Sequence, residues 1–508
     1  MALSNGDLMT AVSAADFKGL YQGGDGINAS LAFAAEGENF EISQGALTNK
    51  FAGENLPGEL PAPIGTLAAL YRRFYSGSGN ETLLVAAAGP SIYAREAESD
   101  VWQEIGTGFQ SDDWDYVSYE VNTYYLDTAT GKRVTKEQYK ADTTGTITKE
   151  TAVEAPIDVL LLSNAKDGMY CVYGDTLEMV KVTVQPESAK EVRFGVIARH
   201  AERIWGGAID GDPDKLMYSA PYDPFDWEQN DEIPEDGAGD IMQPSWDGDS
   251  FVALRPFGSQ LLAFKRRKIW RIIGQDPSTY IFKEQYGGGT INENTVAVNN
   301  EYVLMLGYDG LYVYDGTVVS SFRQAYVKQF ISGINWGAIS QAVAVMHGDV
   351  YMLAVPWGAG QATNNRILEY NVIEKTFTVR TISARTFLSS NNDFYYTSVE
   401  TPGVVSVISK TETLPFRWVS AYQDLGAPNC TKSAFELYVT ASKAVTVTAS
   451  VRTEKKIKTK TVTLSKNKTK LIRLNASGRR FRLELSSKTT DPIVFLGGLQ
   501  LNMELDWD

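Results

Sequence analysis

Residues 301–316 read EYVLMLGYDGLYVYDG, and this stretch decides the fold class. Residues 302–306 are a short β-rich run, the Asp309-Gly310 pair suits a tight turn with positive φ, and residues 311–314 form a second run. The pattern predicts a β-hairpin, with a further turn at Asp315-Gly316. Val303 and Met305 alternate with Leu304 and Leu306, so both faces are apolar, as in a strand covered by a sheet on either side. A lone hairpin is marginal in water, so this one needs neighbours.

Similar hairpins occur at 83–93, 160–174, 203–207 returning at 215–219, 261–264 returning at 268–272, 349–355 returning at 366–370, and 385–390 returning at 394–397. Their spacing of about 40–60 residues is that of propeller blades. Seven hairpins predict an all-β chain with a β-propeller of about seven blades. Helical periodicity is scarce; short connecting helices are expected at 63–75, 135–141 and 322–330.

Three regions follow from the changes in pattern. Residues 1–52 read as an N-terminal arm with lead-in strands at 40–42 and 45–47. The propeller occupies 53–412, with insertions at about 124–154 and 218–249. Residues 413–508 hold seven alternating runs (416–418, 434–439, 445–451, 458–464, 470–474, 480–485 and 493–501) separated by Gly, Asn and Lys turns, the pattern of a C-terminal β-sandwich.

Charge divides the chain the same way. The net charge is −15, yet residues 413–508 carry 16 Lys and Arg against 8 Asp and Glu, leaving 31 basic and 54 acidic residues before them. A basic module beside an acidic one suits docking on an acidic neighbour, and an acidic propeller repels the phosphates of DNA passing nearby; solvated faces are the plainer reading of both. No run of 18 apolar residues exists, and the N-terminus lacks a basic stretch followed by an apolar core, so neither a membrane anchor nor a signal peptide is expected.

Material for catalysis is thin. Only His200 and His347 are present, which leaves little for a histidine triad or a multi-histidine metal site. Cys171 and Cys430 are far apart and read as buried thiols rather than a disulfide or zinc pair. Asp210-Gly211-Asp212-Pro213-Asp214 opens like a calcium loop, but Lys215 and Pro221 stand where that loop requires Gly and Glu. Gly287-Gly288-Gly289 lacks the Lys-Ser/Thr of a phosphate loop. No metal, cofactor or enzymatic activity is expected.

Two surfaces stand out instead. The acidic 218–249 insertion is long for a loop in a compact domain, so Asp223, Phe225, Trp227, Glu235, Asp236, Trp246 and Asp247 are candidates for a gate or an inter-subunit contact. Lys265-Arg266-Arg267-Lys268 is a candidate basic contact tip between two strands.

Several stretches together resemble a known family. Asn39-Phe40 before Gly45-Ala46-Leu47, Arg72-Arg73, LLVAAAG at 83–89, WQEIGTG at 102–108, RIWGG at 203–207 with KLMYSAPYDPFDW at 215–227, KIWRIIG at 268–274 and GYDGLY at 307–312 are similar to segments of tailed-bacteriophage tail nozzle and DNA-stabilisation β-propeller proteins. The resemblance implies a virion structural protein, made in the host cytoplasm without a signal peptide. It also implies a ring of this chain, usually a hexamer, that meets the portal or adaptor and other tail proteins, extends or closes the DNA channel and permits DNA ejection without sequence-specific binding. Two competing expectations are a receptor- or glycan-binding tail adhesin using Trp227, Trp246 and Trp357, and a carboxylate-based glycoside hydrolase.

Overall fold

The computed structural model describes residues 8–23, 29–73, 80–96, 99–121, 124–127, 132–135, 152–154, 156–185, 190–242 and 249–507. Alternating apolar residues build seven successive four-stranded antiparallel sheets, and each predicted hairpin is the second-and-third or first-and-second strand pair of one of them. In the deciding stretch Val303–Gly307 pairs with Gly310–Tyr314 in the register Val303↔Tyr314, leaving Tyr308 and Asp309 as a two-residue turn. Gly310 supplies the positive φ of 146°, and Tyr312 Oη donates to Asp309 Oδ1 at 2.6 Å across the turn. Both faces of Val303–Gly307 are buried, as the continuous apolar run requires.

The sheets stand as blades around one axis, each first strand innermost. Those strands are Ile64–Arg73, Asp115–Val121, Val196–His200, Ala253–Phe257, Ala297–Val298, Val343–His347 and Ala384–Ser390. The first strand of blade seven packs beside that of blade one, so the ring closes. Closure is non-covalent: Phe51–Asn55 is the fourth strand of blade seven, antiparallel to Val405–Thr413. Gly53 leaves room there for the Tyr396 ring, whose hydroxyl would overlap any Cβ at that position.

Ile64–Arg73 is a ten-residue strand, which corrects the helix expected at 63–75: its near-continuous burial reflects packing on both faces of a blade rather than one helical stripe. The expected helix at 322–330 becomes a 3-10 turn, Gln324–Tyr326, and a short α-helix, Lys328–Ser332. Of 135–141 only Thr135 is described, and it ends a strand. The 124–154 insertion carries a small sheet of Tyr124–Asp127 paired with Lys132–Thr135 and Ala152–Glu154.

The remaining strands form two six-stranded sheets. One contains Phe40–Ser43, Ala46–Asn49, Val494–Trp507, Cys430–Ala441 and Lys470–Gly478, with Leu8–Ala14 also paired to Val494–Trp507. The other runs Lys18–Leu20, Phe33–Glu38, Phe416–Ser420, Phe481–Ser487, Val445–Thr453, Ile457–Leu464. Val445, Val447, Ala449 and Val451 of one sheet and Phe435, Leu437 and Val439 of the other enter a single core by two-residue alternation, so the sheets face one another.

Phe51–Asn55 and Val405–Thr413 are the first and last propeller strands in chain order, and what changes is the place of the stretch before them. The stretch 1–52, expected as an arm, supplies five strands to these two sheets, because Phe17, Leu20, Ala34, Phe40 and Leu47 are buried in their common core. That core also takes Leu304 and Leu306 of blade five and Leu353, Leu368 and Phe377 of blade six. Propeller and paired sheets are thus joined by continuous packing. Beneath the junction Glu369 is buried between Lys50 and Arg380.

Candidate functional site

The seven innermost strands line one cavity of about 580 Å3 on the propeller axis. Its acidic end is built where the chain enters blades two and five. Asp112, Asp113, Trp114 and Asp115 precede or open the first strand of blade two, and Trp114 fixes their path: it is buried, its backbone N–H donates to Thr66 Oγ1 at 2.8 Å, and its Nε1 donates to Ser111 O at 2.9 Å. Asp115 Oδ2 accepts from the Ile197 N–H of blade three at 2.9 Å, and Oδ1 lies 3.5 Å from Arg255 Nη1 of blade four. Glu293 opens the 3-10 turn Glu293–Thr295 before blade five, and Arg385 of blade seven pairs with Asp112 at 3.2 Å.

The electrostatics follow from crowding three carboxyls in a narrow space. Burial pushes the Glu293 carboxyl up to about 8, aided by the neighbouring charges of Asp115 and Asp113 and opposed by Arg255. Asp113 is raised by burial and by Asp112 and Asp115. Asp115 is raised by burial against the pull of Arg255 and its backbone donors. Crowding of these carboxyls therefore favours the protonated form of Glu293. Nearby, His347 Nδ1 lies 3.0 Å from Ser389 Oγ and burial lowers its pKa, so it is neutral. No group of three or more His, Cys, Asp or Glu side chains placed to hold a metal occurs among the described residues.

Of these residues only His347 was named from the sequence; the axial acids and Arg255 were not. The density of acids in Asp112-Asp113-Trp114-Asp115 is the signal that could have found one side; Arg255 and Glu293 are lone residues brought in by the ring.

The residues singled out beforehand lie elsewhere. Asp223, Phe225, Trp227, Glu235 and Asp236 belong to the connection between the third and fourth strands of blade three, Lys215–Tyr218 and Gly239–Met242, so the 218–249 insertion ends as part of the blade. Trp227 is buried and its Nε1 donates to Pro224 O at 2.9 Å. Phe225 stacks on Tyr173 of blade two, and Asp223 Oδ1 caps the Phe225 N–H at 2.9 Å. Trp227 is thus an anchor rather than part of an open contact loop, with Phe225 and Asp223 half-buried beside it; an indole goes to the core when a blade gap is at hand. Glu235 and Asp236 are exposed. Trp246 and Asp247 lie outside the described residues.

The loop is held from below by Arg203. This buried side chain donates from Nη1 to Ser219 O at 2.7 Å and Gly237 O at 2.5 Å, and from Nη2 to Glu235 O. Its guanidinium also lies 5.3 Å from the Tyr218 ring.

Of the basic tip, Lys265 is the residue that leaves the surface. Lys265 is fully buried, paired with Asp214, bonded to Asp249 O at 2.7 Å and set over the Phe251 ring. Arg266 pairs with Asp249 at 2.9 Å and Lys268 with Glu284 at 3.4 Å; Arg266 and Arg267 are exposed. Three of four charges are spent on neighbouring acids, one in the 210–214 turn, one at Asp249 before blade four and one at Glu284 in its fourth strand. Trp357, half-buried, lines a pocket of about 250 Å3 at the junction with the two sheets, stacked on Phe330 and flanked by Arg366.

No family model matches the chain, and no curated protein matches it. Among solved structures it is similar to the Neurospora crassa Pan2 WD40 domain (11% identity, 69% of this chain and 90% of that one, TM-score 0.35). It is also similar to the AfRom2 CNH domain (10%, 71% and 99%, TM-score 0.37) and to a chain of the Mitotic Checkpoint Complex (9%, 71% and 96%, TM-score 0.36). The chain is an all-β propeller protein on the evidence of its own seven sheets.

Proposed function

We propose that this chain is a non-catalytic structural subunit of a tailed-bacteriophage tail. In this reading copies of it, six by resemblance, assemble into a ring that continues the DNA path below the portal or adaptor. The observation that supports it most is the single core running from blades five and six into both six-stranded sheets, with Glu369 locked between Lys50 and Arg380 beneath it. Such a body is a stiff spacer, because hinge motion would open buried apolar surface and strand a buried charge.

The axial cavity sets a limit on how DNA could be served. At about 30 Å3 per molecule, 580 Å3 holds roughly 20 waters, far less than a duplex segment. DNA would pass through the opening enclosed by a ring of copies. The acidic loop of blade three, clamped by Arg203, serves as a contact in this scheme rather than as a moving gate.

Light scattering and negative-stain imaging of the purified chain, alone and mixed with virion tail extract, test the proposal. Rings with a central hole that join portal or adaptor particles are the expected result. A chain that stays monomeric in both conditions would overturn it. One feature favours a second reading, a glycan-binding adhesin: the Trp357 pocket, where an aromatic face meets Arg366. Retention on host envelope polysaccharide that is lost in Trp357→Ala would move the assignment there, and release of free sugar would move it to the axial carboxyls.

A further inference from the structure

The two strands Ile457–Leu464 and Lys470–Gly478 are edges, one of each six-stranded sheet, and the turn at 465–469 joins them across the open side of the pair. Lys456, Lys458, Lys460, Lys466, Lys468 and Lys470 all lie along this side and all are exposed. None of the six forms an ion pair among the described residues. The register places Lys458 and Lys460 opposite Val451 and Ala449, on the core-facing side of their strand. Inward charges of that kind block strand addition at an edge. That role does not account for Lys456 and Lys468, which stand outside either ladder, or for Lys466, which makes only an isolated bridge to Ala441.

A surface of opposite sign exists on the same chain. Asp226, Glu228, Asp231, Glu232, Glu235 and Asp236 are all exposed, no Lys or Arg occurs between 223 and 240, and none of the six forms an ion pair among the described residues. The loop is preorganised by the buried Arg203 and Trp227, so docking on it orders little additional chain.

Their placement decides between an internal and an external contact. The two sheets meet the propeller at blades five and six, chiefly through the outer strand of blade six, Thr376–Arg380. In a seven-blade ring the blades opposite six are two and three, and the acidic loop is on the outer half of blade three. One molecule cannot bring its own lysine edge to its own acidic loop. We propose that the lysine edge docks on the acidic blade-three loop of a neighbouring copy, a head-to-tail contact that repeats around a ring. The inference rests on the ring assembly proposed above and names its interface. Head-to-tail contacts use two different surfaces and close into rings when the rotation permits.

Sedimentation velocity in 50 and 300 mM NaCl tests this with two charge-reversed variants, K458E/K460E/K470E and D231K/E232K/E235K. Wild-type chain is expected to self-associate at low salt and to lose about tenfold or more in affinity at high salt, since exposed charges are screened over ~10 Å at 0.1 M. Each variant alone should associate about 100-fold more weakly, and an equimolar mixture of the two should recover association, because it restores one native pair of surfaces. Undiminished association of the lysine variant would overturn the proposal. So would a lysine edge that retains a 30-base-pair duplex while its reversal leaves self-association unchanged. Rings that still form in tail extract with the lysine variant would sink this interface and keep the tail reading; charge-sensitive self-association without any ring in extract would do the reverse.

Discussion

Lys50 and Glu369 stand 319 positions apart and form an ion pair with both side chains buried. Lys50 lies between the last N-terminal strand of the paired sheets and the strand that closes blade seven; Glu369 is in the third strand of blade six. Glu369 also accepts from Arg380 Nε. One carboxylate thus ties three parts of the chain together at the junction.

Glu369→Gln should destabilise the chain by about 3–5 kcal/mol, the usual cost of leaving buried charge uncompensated. Arg380 and Lys50 hold the Glu369 carboxyl down to about 2 against its burial. A depressed carboxyl contributes stability above its unfolded value near 4.5 and loses it as pH falls toward 2. Wild-type Tm should therefore drop across that window, and the Gln variant should show a flatter acid limb in thermal melts between pH 2 and 6.

Glu293 has the opposite sign. Its folded value of about 8 lies above the unfolded one, so the folded state binds the extra proton and stability falls as pH rises from 4.5 to 8. Glu293→Gln should remove that fall and add about 1–2 kcal/mol at pH 8.5, a figure reduced for screening by water in the cavity. Melting temperatures of both proteins from pH 5 to 9 check it; parallel curves would refute the proton assignment.

Gly497 and Gly498 have φ of 73° and 68°, and there Val494–Trp507 changes neighbours from Ala46–Asn49 to Leu8–Ala14. A Cβ on Gly498 would sit 1.9 Å from Ala14 O. Gly498→Ala should cost about 2 kcal/mol or more from the left-handed backbone and the clash together, and should free the first strand. Faster amide exchange over residues 8–14, read by mass spectrometry, is the expected signature.

Arg203→Met keeps the bulk of the side chain but removes three bonds to loop carbonyls. Loss of a buried charged donor set should cost about 3 kcal/mol and expose 228–237 to protease. Limited proteolysis should cut there first, leaving the propeller intact; unchanged cleavage would show that Trp227 alone holds the loop.

Cys171 and Cys430 are both free and buried, and burial pushes the Cys171 thiol up. Neither should react with a disulfide reagent in the folded chain at pH 8, and both should react at once in denaturant.

The blade hairpins were legible because they are local: two-residue alternation, an apolar run and a turn pair such as Asp309-Gly310 act over a dozen residues. The seven hairpins and the alternating runs after residue 413 carry their own pairing information, and so does the charge contrast between the two parts. Phe40–Ser43 and Ala46–Asn49 were legible as two strands about a turn, but the sheet they join and the place of the closing strand Phe51–Asn55 were not, because a partner 350 or more residues away is selected by register and burial in the finished fold. The axial carboxyls became one cluster only when the ring brought blades two, four and five together. Lys265 and Trp227 look exposed in sequence and are buried in space, since an acidic turn and a blade gap await them. Sequence by itself determined the repeating element and its number; tertiary structure decided which ends meet and which charges are left for a partner, because those depend on contacts that no local stretch contains.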